Sequence, residues 1–433
     1  MEDTLTKSDE FSRRRFVTQA AKTFLGASIL PWAMPRETTA AGLGLNRPLN
    51  HAPKARNVIY LYMAGGMSHI DTFDPKPGTE TGGPTKAIKT NVDGVQLAEN
   101  LPLLANHADK IAVVRGLSST TGAHRQGNYL MHTNYAQRTT IRHPSMGAWI
   151  TRLDGRSNPT LPGAVVVGGG NQHPLAGFLP SSHQPLALGN PSEGLRNSRM
   201  HSGLTEKDFQ KRLKLSEKFD QGFREKYDLR KVRAYSDMYS DAVRLMKSGD
   251  LEAFDLEKEP ANVRKAYGDE AFGQGVLLAR RLVERHVRFV EVQLGGWDTH
   301  QNNFSRVTER CSILDQALSS LLEDLDKRGM LDETLVVLAT EFGRTPNVNV
   351  NGGRDHYPKA FSCMLSGGGI RGGQVWGKTD PEGREVVEQH IGIPDFNATV
   401  AYALGLPLDE VVHSPSRRPF TLANKGQPVT ALL

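Results

Sequence analysis

Short apolar runs, each closed by glycine or a polar cluster, recur along this chain and constrain its fold more than any other feature. The first is Val58-Ile59-Tyr60-Leu61-Tyr62-Met63, ended by Ala64-Gly65-Gly66. The same form returns at residues 111–114, 164–167, 289–294, 335–339 and 361–365. Unbroken apolar character over so short a span suits a strand buried on both faces, as in a parallel sheet. Amphipathic segments separate several of the runs. From Phe304 to Arg328, the residues Val307, Cys311, Leu314, Leu318, Leu321, Leu322 and Leu325 share one helical face, and Gly329 is placed to end the helix. A second helix over roughly 273–286 leads into the strand that begins at Arg288. The alternation predicts an α/β fold: a three-layer sandwich with a mostly parallel central sheet and helices on both faces. From about Thr205 to Asp269 the chain is highly charged and helical in pattern, and is expected to form a helical insertion or cap within that domain.

The first 41 residues read as an address rather than as part of the fold. Ser12-Arg13-Arg14-Arg15-Phe16-Val17 fits the pattern of a twin-arginine signal, an apolar run follows over 24–34, and Thr39-Ala40-Ala41 supplies small residues for cleavage. That run is much shorter than the ~20 apolar residues that span a bilayer. The mature chain is therefore expected to be 42–433, passed by the twin-arginine translocase to the periplasm or the medium, with no stable membrane span. Part of the net charge of +6 belongs to the signal, and no basic block interleaved with aromatics suggests a nucleic-acid partner. The cysteines, Cys311 and Cys363, are too few for a disulfide scaffold and lack the spacing of a zinc site. They read as core residues, with an oxidised pair left open.

Ligands of parallel sheets bind at the carboxyl ends of the strands, and the polar clusters of this chain fall there. Gly65-Gly66-Met67-Ser68-His69-Ile70-Asp71 follows the first run, and Ser118-Ser119-Thr120-Thr121-Gly122-Ala123-His124, with His132 beyond it, follows the second. Gly295-Gly296-Trp297-Asp298-Thr299-His300 follows the run at 289–294. Thr340-Glu341-Phe342-Gly343-Arg344-Thr345 and Gly353-Arg354-Asp355-His356 follow the run at 335–339. Carboxylates and imidazoles from several strand ends are the donor set of a binuclear divalent metal centre, for which zinc, manganese, magnesium and calcium are candidates. Two such ions ~4 Å apart could stabilise the attacking and leaving oxygens of a phosphoryl or sulfuryl transfer. Each motif also has a plainer reading: Asp298 capping a helix, Glu341 paired with Arg344, Asp355 paired with Arg354. Their joint occurrence at successive strand ends favours metal ligands.

The stretch from Asn57-Val58 through Asp71-Thr72-Phe73-Asp74-Pro75-Lys76-Pro77 resembles the start of a family of exported bacterial proteins, domain of unknown function 1501, abundant in planctomycetes and placed in the alkaline phosphatase-like superfamily. The likeness continues through Gly177-Phe178-Leu179-Pro180, Gly295–His300, Thr340–Pro346, Gly353–His356, residues 373–380 and Pro394-Asp395-Phe396-Asn397-Ala398-Thr399. The resemblance implies a binuclear metal centre in which Asp71 is the acidic ligand after the first strand. Asp298 and His300 would serve one ion, and Glu341 and His356 would complete the set, with Asp355 a further candidate. One departure stands out. Where the superfamily's enzymes carry a Ser, Thr or modified Cys nucleophile, this chain has His124-Arg125-Gln126-Gly127, and no cysteine is present there for conversion to formylglycine. His124 could bind metal, act as general acid or base, or accept a phosphoryl group. Ser118, Ser119, Thr120 and Thr121 are alternative nucleophiles, and water activated by metal could attack directly. Arg125 and Arg344 are candidates for the substrate's anionic oxygens, with Arg344 equally suited to brace Glu341. The expected function is an exported metal-dependent hydrolase of phosphate or sulfate esters, borne on a small molecule or a glycan. The alternatives are a non-catalytic metal- or glycan-binding protein on the same scaffold, or a metal-free scaffold that presents a partner surface.

Overall fold

The first apolar run forms strand β1 (Asn57–Met63), which is buried at every position and lies inside the sheet with a neighbour on each side. The computed structural model describes residues 52–169, 172–195, 198, 203, 205–226 and 239–433. Residues 1–41, expected to be a twin-arginine signal with its cleavage site, lie outside them. The other strands of the main sheet are β2 (Ile111–Ser118), β3 (Ala164–Val167), β4 (Leu186–Leu188), β5 (Phe289–Leu294), β6 (Thr334–Ala339), β7 (Phe361–Ser366), β8 (Gln374–Trp376) and β9 (Ile391–Gly392). Their order is β8-β2-β7-β6-β1-β5-β3-β4, with β9 on β2. β1 runs parallel to β5, with Val58 opposite Phe289, and parallel to β6, with Val58 opposite Leu335. The carboxyl ends of these strands therefore share one edge.

The sheet is mixed. β7 is antiparallel to both β6 and β2, although its sequence has the same unbroken apolar form as its neighbours. Apolar character on successive residues reports burial on both faces and says nothing of direction. The link from β6 to β7 decides it: no crossover helix intervenes, only a loop with a small hairpin of Gly343–Arg344 against His356–Tyr357. A connection of that kind returns the chain antiparallel, because a parallel return needs a crossover.

Helices cover both faces. α1 (His124–Thr133), α2 (Met146–Asp154), α3 (Glu206–Lys226), α4 (Ala271–Glu284), α5 (Asn303–Lys327) and α6 (Ile393–Ala403) follow in chain order. On one face Val276 and Leu277 of α4 and Leu314, Leu318 and Leu322 of α5 pack on Ile59, Leu61, Val290 and Val336. On the other, Met131 of α1, Trp149 of α2 and Phe396 and Val400 of α6 pack on Val58, Tyr60, Val337 and Phe289. Cys311 belongs to the first core and Cys363 to the second, so the sheet separates the two buried, unpaired thiols. The described residues between Thr205 and Asp269 carry helices and no strand. No described helix is long and apolar enough to cross a membrane.

Candidate metal centre

The sequence at the carboxyl edge lets backbones pass closely, and this closeness builds the site. Gly65, just past β1, has φ +122°, and a Cβ there would lie 2.6 Å from the Asp298 amide nitrogen. The loop after β5 can therefore fold across the end of β1. Gly127 does the same for α1: a Cβ would come 3.1 Å from the Glu341 Cβ, so the first turn of the helix rests on the end of β6. His124, at the start of that turn, is carried over the strand ends.

Three imidazoles converge on one carboxylate oxygen. Asp298 Oδ1 lies 3.3 Å from His124 Nε2, 3.2 Å from His300 Nε2 and 3.3 Å from His356 Nε2. The Nε2 atoms of His300 and His356 are themselves 2.9 Å apart. His124 Nε2 is buried and makes no hydrogen bond among the described residues. Nitrogen lone pairs do not crowd together in this way for each other's sake; the arrangement fits a cation shared between them. His124, Asp298 and His356 have donor atoms close enough to hold one ion together.

The opposite nitrogens are fixed by carboxylates. His124 Nδ1 donates to Glu341 Oε1 at 2.9 Å, and His300 Nδ1 donates to Asp355 Oδ1 at 2.7 Å. Each contact leaves Nε2 bare and aimed at Asp298, as the outer partners of metal-bound histidines do. Glu341 is otherwise fully engaged, accepting from the Gly65 amide on Oε1 and from the Tyr62 hydroxyl on Oε2, both at 2.9 Å. The bond to Glu341 raises the His124 pKa, with burial opposing it. Partial burial pushes the Asp298 carboxyl up, but the Arg344 hydrogen bond and charge and the nearby histidines outweigh it and hold the group down at about 2.

Asp71, expected as the acidic ligand after β1, does not join this group. Its side chain is 1% exposed and its oxygens are saturated by donors: Ser68 Oγ at 2.6 Å, Thr85 Oγ1 at 2.8 Å, Asn303 Nδ2 at 2.9 Å and Arg354 Nε at 2.8 Å. A carboxylate so placed has no lone pair left for an ion, which takes Asp71 out of the ligand set. Arg354 thus pairs with Asp71 and not with Asp355. Arg344 fills neither of its expected roles. It is wholly buried and donates to Asp298 Oδ1 at 2.5 Å, to Gly66 O at 2.9 Å, to Arg354 O at 3.1 Å and to Gly65 O. It therefore braces Asp298 and not Glu341, and it is not free to bind an anion. Arg125 is exposed on the first turn of α1, beside His124.

Sequence reasoning missed a second group directly beneath α1. Glu291, in the middle of β5 and 1% exposed, meets His132 Nε2 at 3.1 Å and His173 Nε2 at 3.2 Å. The signal was present: Glu291 is a charged residue inside an apolar strand, and a buried carboxylate requires a partner. His173 could not be found that way, because it arrives from a loop far along the chain.

Fold and site define an α/β protein whose histidines and carboxylates gather on the carboxyl edge of a mostly parallel sheet. Residues 55–433 match the family model described as "Protein of unknown function (DUF1501)", and the chain belongs to that family. No curated protein sequence matches it significantly. Among solved structures it is similar to a protein in the alkaline phosphatase superfamily from Vibrio parahaemolyticus, at 10% identity and TM-score 0.37 over 94% of this chain and 80% of that one. It is also similar to a sulfatase from Pseudoalteromonas sp., at 12% identity and TM-score 0.38 over 83% and 68%. A further similar structure is the TAB5 alkaline phosphatase, at 15% identity and TM-score 0.32 over 73% and 92%.

Proposed function

We propose that this protein is an exported, metal-dependent hydrolase of phosphate or sulfate esters that works with one divalent ion. The observation that carries the reading is the convergence of His124, His300 and His356 Nε2 on Asp298 Oδ1. Asp71 is bound to Arg354, and Glu341 and Asp355 are hydrogen-bonded to histidine ring nitrogens, so the reading rests on one ion held by His124, Asp298 and His356 with His300 beside them, rather than on the expected pair. Three imidazoles and a carboxylate suit zinc or manganese better than the all-oxygen preference of calcium or magnesium. A bound ion supplies Lewis-acid stabilisation of charge on the ester's oxygens. The chain's own residues do the rest. Glu341 and Asp355 orient two of the histidines, Arg344 fixes Asp298, and Arg125 stands exposed beside the centre where an anionic ester would approach.

His124 stands where a side-chain nucleophile was sought, and its Nδ1 is tied to Glu341. That favours attack by water over formation of a covalent intermediate. The test is a titration of the mature chain (42–433) with zinc and with manganese, followed by assays of aryl phosphate, phosphodiester and sulfate esters. Metal-dependent turnover of one class supports the reading. Tight metal binding without turnover of any class replaces it with the non-catalytic metal- or glycan-binding role. Glu341→Gln keeps the shape of the side chain but weakens its hold on His124. It is expected to lower metal affinity by about 10–100-fold with the fold intact, measured by competition with a chromogenic chelator.

A further inference from the structure

The buried group under α1 is described completely by its hydrogen bonds, which fix where the protons sit. His132 Nδ1 faces the Asn128 carbonyl at 2.7 Å and Nε2 faces Glu291 Oε1 at 3.1 Å. Both partners only accept, so both nitrogens carry protons and His132 is an imidazolium. His173 differs. Its Nδ1 accepts from the Leu175 amide at 3.0 Å, so it is bare, and its Nε2–H donates to Glu291 Oε2 at 3.2 Å. The group holds one negative charge, one positive charge and one neutral ring, a closed balance for so buried a site. The same protons argue against a metal ion here, although the three side chains could surround one. Metal on His173 Nε2 would put the ring's proton on Nδ1, against the Leu175 N–H. Burial opposes the charge on both histidines. Glu291 overcomes that for His132, whose pKa is raised, and not for His173, whose pKa is lowered.

From this group a path of contacts runs to the candidate centre, passing through the body of Asn128. His132 donates to the backbone carbonyl of Asn128, and the side-chain amide of the same residue donates from Nδ2 to the Tyr62 hydroxyl at 3.3 Å. Tyr62 then donates to Glu341 Oε2 at 2.9 Å, and Glu341 Oε1 holds His124 Nδ1 at 2.9 Å. The Tyr62 ring also packs edge-on to the His132 ring, with centroids 4.5 Å apart. The groups facing His132 are Glu291 on β5, His173 from the loop after β3, and Tyr60 and Tyr62 on β1, with Glu341 beyond Tyr62.

We propose that His132, kept as an imidazolium by Glu291, is a positioning residue for the metal centre: through Asn128 and Tyr62 it orients Glu341 and so presents the bare Nε2 of His124. The proposal rests on the metal-centre reading for its purpose but not for its first test. Nitrogen-15 NMR of histidine rings in the metal-free protein reads protonation directly, with His132 and His124 assigned by the signals lost in His132→Asn and His124→Asn. His132 is expected to show two protonated nitrogens from pH 6 to 8, and only one in Glu291→Gln. Tyr62→Phe keeps the ring but removes the hydroxyl. It is expected to perturb the His124 signals while leaving His132 doubly protonated, and to weaken zinc binding by about 10–100-fold. A purely structural role for the triad would leave His124 and zinc affinity unchanged in a folded Tyr62→Phe, and that result overturns the proposal. A singly protonated His132, or a zinc ion retained by the triad in a variant lacking Asp298, overturns it equally. A wild type that binds no metal defeats the metal-centre reading instead, and the ring spectra alone then decide whether His132 controls His124.

Discussion

Asp298→Asn is expected to remove metal binding from an otherwise folded protein, an effect larger than the ~10–100-fold loss typical of an outer partner of a metal ligand. Asp298 Oδ1 is the point on which all three Nε2 atoms converge, so no other described side chain can take its place. Asparagine keeps an oxygen to accept from Arg344, whose guanidinium is wholly buried and would be left without its carboxylate in an alanine variant. The charge is lost and the shape is kept. Calorimetric titration with zinc, read beside circular dichroism to confirm folding, checks the prediction. Any ester hydrolysis seen with the wild type should fall with the metal. An Asp298→Asn protein that binds zinc as tightly as the wild type would mean the convergence has another cause.

Asp71→Ala is expected to do the opposite: destabilise the fold and leave the metal site alone. Arg354 directs its N–H groups at Asp71, Thr81 O, Thr345 O and Pro346 O, all within the protein interior. Removing the carboxylate leaves a buried guanidinium without its counter-charge, a change that costs about 3–5 kcal/mol. Replacing both partners together, as in Asp71→Leu with Arg354→Met, is expected to cost less than the Asp71 change alone, since no unpaired charge remains. Denaturant unfolding of the two variants measures this, and zinc titration of their folded states should give the wild-type affinity. A stable Asp71→Ala that has lost zinc binding would restore Asp71 to the ligand set.

The contrast between these two aspartates shows what the sequence could and could not disclose. Both follow an apolar run, both lie near glycines, and both sit in a motif that resembles the family's. Their fates differ because Asp71 is enclosed by Ser68, Thr85, Asn303 and Arg354, whereas Asp298 is partly exposed and has its Oδ1 within reach of three histidines as well as of Arg344. That choice depends on where a loop from after β6 folds back, and no local pattern encodes it. Periodicity served better for the scaffold. The apolar runs became buried strands, the face predicted for α5 is the face that packs, and the mostly parallel sheet formed as expected. The direction of β7 was not read, because burial on two faces looks alike in either direction. Glu341 and Asp355, expected as metal ligands, stand hydrogen-bonded to the Nδ1 atoms of His124 and His300, and a carboxylate beside a histidine motif reads the same in sequence whether it meets an ion or a ring nitrogen. Glu291 was visible as a charge in an apolar strand, but its meaning required His132 and His173, which only the fold brings to it.

The measurement that bears most directly on the account is the number of metal ions per chain. It would be taken by inductively coupled plasma mass spectrometry on zinc-loaded, extensively dialysed wild type and Asp298→Asn. One ion per wild-type chain, absent from Asp298→Asn, is the predicted result. Two ions per chain, or one that survives in Asp298→Asn, would contradict a single centre built on Asp298 and the three histidines.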